Sequence, residues 1–204
     1  MHTSLLVACI LLVLPYIVCA QEKAKSTFEF TPFTSYRLGG DFDEIAGDNT
    51  IRLEDKNGYG LIAAWHYDHN RQGELLISHY VSNFDTNLAE LHGSEVAISY
   101  VHLGGNIKLS NGIVPFWLSG GVGFTHLSPN AKHLNSETNF SASLGLNSKL
   151  SLSENMKIFI GGRIYGTFFD SESEVFCDST ECAIFIESEI WIQSELLLGV
   201  NVMF

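Results

Sequence analysis

Beyond residue 20 the chain alternates between apolar and polar residues with a period of two along almost its whole length, and no continuously apolar stretch approaches the length of a membrane-spanning helix. Successive side chains of a strand point to opposite faces, so this period dictates strands with one apolar and one polar side. Runs bounded by turn residues predict eight of them, at 27–38, 58–67, 73–82, 95–109, 114–127, 138–152, 156–169 and 186–204. The connections alternate in length. DHNRQ at 68–72, Ser110-Asn111-Gly112 and Ser153-Glu154-Asn155 are short and carry turn chemistry, whereas 39–57, 83–94, 128–137 and 170–185 are long and polar. Regular alternation of this kind puts every tight turn, and both chain ends, at one end of an antiparallel up-and-down meander.

A period of two does not say which face is inside, because a soluble eight-stranded barrel turns the same apolar face inward. Residue size separates the two cases. On the last strand Ile190, Ile192, Leu196, Leu198, Val200, Val202 and Phe204 oppose Glu189, Gln193, Glu195 and Asn201. On the seventh, Ile158, Ile160, Ile164 and Phe168 oppose Gly161, Arg163, Tyr165 and Thr167, and on the sixth a Phe/Leu-rich face opposes one of Ser, Gly, Asn and Lys149. Small polar side chains suit the crowded inside of a narrow barrel, and bulky aliphatics suit an unconstrained outer wall. The apolar face is therefore expected to meet lipid. In hydrocarbon each backbone amide must be paired within the protein, so the sheet has to close. The expected fold is all-β: an eight-stranded antiparallel up-and-down transmembrane barrel. Outward aromatics sort by height as that fold requires, with Phe28, Phe30, Trp65, Tyr67, Phe116 and Phe204 near the short turns and Tyr36, Tyr59, Phe124, Phe140 and Phe168 near the long loops.

The N-terminus sets the compartment. Residues 5–18 form an uncharged apolar run, broken by Pro15 and ending at Val18-Cys19-Ala20, short of the about 20 residues of a spanning helix. Residues 1–20 are thus expected to be a cleaved signal peptide and 21–204 the barrel domain. Two cysteines remain, Cys177 and Cys182, and an even pair in an exported chain predicts a disulfide pinning the last long loop. The net charge of −12, with 11 basic residues scattered along the chain, supplies no basic stripe and speaks against nucleic-acid binding.

Several stretches, in order, carry a resemblance to a known family: TPFTSYRLGGDF (31–42), YVHLGG (100–105), GGVGFTHLSP (120–129), the two-cysteine loop and the terminal Phe204. The chain resembles the small outer-membrane β-barrel proteins of Gram-negative bacteria, often described as porin-family barrels, over nearly all of residues 21–204. The resemblance implies an integral outer-membrane location among phospholipid and lipopolysaccharide, a monomer, and no particular substrate. Val200, Val202 and Phe204 look like the terminal pattern read by the barrel assembly machinery, a last strand able to pair with a foreign edge.

Charged residues on the expected inner face are Glu29, Arg37, Glu74, Lys108, Lys149, Arg163, Glu189 and Glu195. Their balance of sign predicts a salt-bridged plug, where a selective pore would favour one sign. Catalysis has one candidate, a lipid A acyl hydrolase using His126 and Ser128, two residues apart on one strand face with Glu137 nearby. His66 and His69 have a ligand-like spacing at a turn, the acidic loops lack the spacing of a calcium loop, and no cofactor or metal is expected. The sequence thus points to a non-catalytic envelope protein with a structural, interaction or weak porin-like transport role, with the lipid A acyl hydrolase and a soluble periplasmic ligand-binding barrel as the alternatives.

Overall fold

The structure, a computed structural model, describes residues 28–43, 50–85, 94–112, 114–130, 135–169, 174–177, 182–185 and 190–204. The expected signal peptide, Glu189 and the side chains of Cys177 and Cys182 lie outside that description. Twelve strands are present among the described residues: β1 (Phe28–Leu38), β2 (Asp41–Asp43), β3 (Thr50–Leu53), β4 (Lys56–His66), β5 (Arg71–Asp85), β6 (Glu95–Lys108), β7 (Phe116–Pro129), β8 (Glu137–Ser151), β9 (Met156–Phe168), β10 (Glu174–Cys177), β11 (Cys182–Phe185) and β12 (Ile190–Met203).

Eight of these, β1, β4, β5, β6, β7, β8, β9 and β12, pair in that order and close through β12 on β1 as an antiparallel barrel. The staves match the expected strands to within a few residues. β5 is longer than expected at both ends, from Arg71 to Asp85, because backbone pairing continues past the point where its apolar pattern stops, and of the last expected strand residues 186–189 lie outside the described residues. Two of the expected loops contain further strands. β2 and β3 prolong the sheet beyond the barrel wall within 39–57, and β10 with β11 makes a separate hairpin within 170–185.

The register can be followed once around the wall. Phe28 pairs with Trp65, then the row passes through Gly73, Gly105, Gly120, Leu144, Ile164 and Ser194 and returns to β1 at Leu38, ten residues further along. Such a stagger on eight strands tilts them about 40° from the axis. A row of paired residues consequently climbs toward the loop end by about 3 Å per strand. The β1–β12 ladder skips Thr31 and Pro32, where proline lacks an N–H to give, and Asn201 Nδ2 donates instead to Thr31 Oγ1 at 2.8 Å.

Exposure sorts the faces as the alternation requires. Leu103, Val122, Leu144, Ile164, Leu196 and Leu198 are all exposed on the outer wall, and both aromatic groups lie on that wall near its two ends. The inner face departs from the expectation that it is mostly small. Phe33, Leu76, Tyr80, Tyr100, Trp117, Phe159, Tyr165 and Trp191 are all buried there. They fit because glycines stand opposite them: the Phe33 ring occupies the place where Gly60 would carry a Cβ.

Candidate functional site: the barrel interior

Alternation puts every second residue of each stave inside, so the interior is built from three tiers of side chains. At the loop end Arg37 is fully buried, and its Nη2 lies 2.8 Å from Glu195 Oε1 and from Ser78 Oγ. Its guanidinium carbon sits 4.8 Å from the Tyr80 ring centre, 4.8 Å from that of Tyr100 and 4.4 Å from that of Tyr165. Arg37 Nε and Nη1 have no hydrogen-bond partner among the described residues; three ring faces surround the cation instead. A desolvated cation over an aromatic face gains about 2 kcal/mol, so the rings offset part of the cost of burying it. Glu195 also accepts from Ser78 Oγ at 2.9 Å and from the Tyr165 hydroxyl at 2.5 Å. Gln193 closes the tier by donating to the Tyr80 hydroxyl and to the Gly39 carbonyl, while accepting from the Tyr100 hydroxyl at 2.7 Å.

The middle tier is smaller. Arg163 Nη2 meets Glu74 Oε1 at 2.5 Å, and Arg163 Nη1 donates to Ser143 Oγ at 3.1 Å. Both ring nitrogens of the buried His102 have hydroxyl partners, Ser143 and Ser141, each at 2.8 Å. Little room remains at this level: a Cβ on Gly145 would lie 2.6 Å from Ser119 Oγ and 3.0 Å from the Gly162 carbonyl oxygen.

At the turn end Lys149 Nζ pairs with Glu29 and donates to Gln72 Oε1 at 3.1 Å. Glu29 is shared with His66 Nε2 at 2.7 Å and with Asn201 Nδ2 at 3.0 Å. Lys108 and Lys149 approach the Trp117 ring at 5.8 and 5.2 Å. Lys108, expected inside, is half-buried at this mouth. Of the other charges expected within, Glu29, Arg37, Glu74, Lys149, Arg163 and Glu195 are buried and brought together in these tiers, and Glu189 lies outside the described residues.

Comparison of the closed, staggered, charge-packed barrel with solved structures finds Neisserial surface protein A (TM-score 0.58, 10% identity, covering 87% of this chain and 97% of that one). It also finds OprG from Pseudomonas aeruginosa (0.59, 9%, 88% and 96%) and the outer membrane protein AlkL (0.60, 12%, 91% and 92%). The fold is that of a small outer-membrane β-barrel. No family model and no curated protein sequence matches the chain.

Outside the lumen of this outer-membrane barrel fold, His126 and Ser128 share the outer face of β7, but each is bonded elsewhere. His126 Nδ1 lies 2.8 Å from Thr138 Oγ1 on β8, and Ser128 Oγ accepts from Ser136 at 3.2 Å. His66 is committed to Glu29 and Gln72. At the chain end Val200 and Val202 stand on the outer wall, Phe204 packs edge-on against Phe30 at 5.9 Å, and the Phe204 amide donates to the Phe28 carbonyl at 2.9 Å. Cys177 and Cys182 are backbone partners across β10 and β11.

The tyrosine cage is the part of the interior that sequence reasoning missed. The signal was present, since Tyr80 alternates in phase with Glu74 and Ser78, Tyr100 with His102, and Tyr165 with Arg163. What pattern alone lacks is the register that brings three strands' tyrosines to one height beside Arg37.

Proposed function

We propose that this chain is an integral outer-membrane protein whose barrel is a plugged, non-catalytic anchor presenting its long loops to the outside. The observation that carries this reading is the loop-end tier, where Arg37, paired with Glu195 through one nitrogen and enclosed by three tyrosine rings, fills the cross-section together with Gln193. An eight-stranded barrel has an interior about wide enough for its own side chains, and the ion pairs here cancel in sign instead of leaving one sign to select ions. The outer wall of exposed aliphatics between two aromatic groups supports residence in lipid, and the neighbouring folds agree with an outer-membrane location. Export by a cleaved signal at residues 1–20, insertion through the terminal Val200, Val202 and Phe204, a monomeric state, and contact with phospholipid and lipopolysaccharide complete the reading. The adjacent backbone positions of Cys177 and Cys182 support a disulfide in the last loop, which a free-thiol assay checks. The commitments of His126 and Ser128 to other hydroxyls support a non-catalytic wall, and lipid A mass spectra unchanged on overexpression are the expected result.

The test is planar-bilayer recording and liposome swelling on the refolded monomer. The expected result is no steady conductance and no sugar-driven swelling. A large steady conductance from the monomer overturns the plug.

A further inference from the structure

The outer wall is not uniformly covered by its own side chains. In the paired row Trp65, Gly73, Gly105, Gly120, Leu144, three consecutive staves present glycine outward. Gly73 is filled by its neighbour: a Cβ there would run into the Trp65 indole. Gly120 is not, since a Cβ there would meet nothing nearer than the Ser143 carbonyl oxygen at 3.8 Å and a Leu144 methyl at 4.0 Å. The result is a groove of about 700 Å³ floored by Gly105 and Gly120, walled by Ile107, Leu118 and Leu144, and bordered at the turn end by Tyr67 and Arg71. Arg71 stands two residues below the glycine row on β5, and Leu144 three staves further along that row. At this strand tilt the groove rises about 14 Å, close to half of the about 25 Å apolar band of an outer-membrane barrel. It therefore spans one leaflet, from the headgroup level on the turn side to the middle of the hydrocarbon. The cation at its foot is 69% exposed and holds Asp68 on one edge.

We propose that this groove is a binding site for one glycerophospholipid of the periplasmic leaflet, with an acyl chain lying over Gly105 and Gly120 and the phosphate at Arg71. The assignment rests on the outer-membrane reading above and adds to it a specific, retained lipid. Charge complementarity selects the occupant. An apolar trench ending in a guanidinium matches a chain ending in a phosphate, whereas a second barrel would bring its own turn-end Arg71 to the same place.

The test uses the full barrel refolded in phosphatidylethanolamine/phosphatidylglycerol vesicles, extracted into mild detergent and weighed by native mass spectrometry. Wild type is expected to carry one phospholipid. Gly120→Leu, which fills the trench, and Leu144→Phe, which crowds it from the far wall, are each expected to lower occupancy at least tenfold. Arg71→Gln is expected to lower phospholipid occupancy about fivefold while leaving retention of added diacylglycerol unchanged. Gly166→Leu, away from the groove and where a Cβ meets nothing closer than an Ile190 methyl at 3.6 Å, serves as control and keeps the lipid. Each variant is checked for heat-modifiable gel mobility, so a misfolded one is recognised and the other carries the test. Equal occupancy in wild type, Gly120→Leu and Leu144→Phe overturns the site, as does a barrel dimer that Gly120→Leu abolishes. A wild type that lacks heat-modifiable mobility and fails to partition into vesicles overturns the outer-membrane reading itself.

Discussion

At the loop end of the interior Arg37 has one carboxylate, three ring faces and no exposed surface, whereas at the turn end Lys149 shares Glu29 with His66 and Asn201 and has Lys108 near the same Trp117 ring. Both tiers bury an ion pair, yet they do so by different physics. The guanidinium is planar and permanently charged, so it stacks on tyrosines and has no path to water. The lysine is a point charge on a flexible stem near a mouth, able to swing outward if its partner is lost. On the plugged reading proposed above, the loop-end tier is the closure and the turn-end tier is a basic vestibule. The wall joining them carries the mouth's cation excess, since Lys157 also faces inward beside Asn201.

The largest expected effect follows from removing Glu195. Glu195→Gln leaves Arg37 buried among rings without its carboxylate, and breaking such a pair costs about 3–5 kcal/mol. Urea unfolding of the vesicle-embedded barrel measures it. Arg37→Met combined with Glu195→Gln is expected to recover part of that loss, because an apolar side chain leaves no uncompensated charge in the cage. A single variant as stable as wild type would mean that water reaches the tier, and the contrast between the two ends would fail.

Glu29→Gln at the turn end is expected to cost less, about 1–2 kcal/mol, since Lys149 can turn to solvent while the introduced amide keeps hydrogen bonds to Asn201 and His66. The same unfolding assay reads it. Added salt separates the two ends, because screening acts on charges that water reaches and spares dry ones. Raising ionic strength should narrow the gap between Glu29→Gln and wild type, since the half-buried Lys108 and Lys157 that repel one another there are screened, and leave the Glu195→Gln gap unchanged. Losses of equal size and equal salt response would make the two tiers one kind of site.

How far these tiers could be read beforehand differs by level. Strand number, the direction of each face and the inward side of seven of the eight expected charges follow from alternation, because a period of two leaves each residue only two sides to occupy. Who meets whom does not follow. Arg37 meets Glu195 because β1 and β12 pair at those two residues, yet Lys149 on β8 reaches Glu29 across the lumen, which no ladder records. The small-residue rule for the interior failed at Tyr80, Tyr100 and Tyr165 because it averages over positions, while packing couples them: glycines at 58, 60, 104, 121 and 145 on the same face make room for large neighbours. The spacing of His126 and Ser128 does not bring those two side chains together, for a related reason. Residues two apart on one strand lie about 7 Å apart, whereas a cross-strand neighbour is nearer, and Thr138 on β8 takes the imidazole.

The smallest effect belongs to the turn that joins β4 to β5, just outside the vestibule. The Asp68 carboxylate accepts from Arg71 Nε at 2.6 Å and from the Asn70 amide at 2.8 Å, and these donors, the Arg71 side chain foremost, hold it below the usual carboxylate range. A carboxyl whose folded value is depressed adds stability above its unfolded value, near pH 3.9, and loses it as pH falls through the folded one. Asp68→Asn should therefore lower the melting temperature at pH 7 by about 1 °C, the scale of an exposed pair, and leave it unchanged once the pH lies below the folded value, where wild type has also lost the charge. Thermal scans across that range, run beside Glu29→Gln, decide whether proximity to water or mere location at the turn end sets the size of the effect. If Asp68→Asn cost as much as Glu29→Gln, the vestibule would be no more shielded than the turn, and the lysines there would be ordinary surface charges.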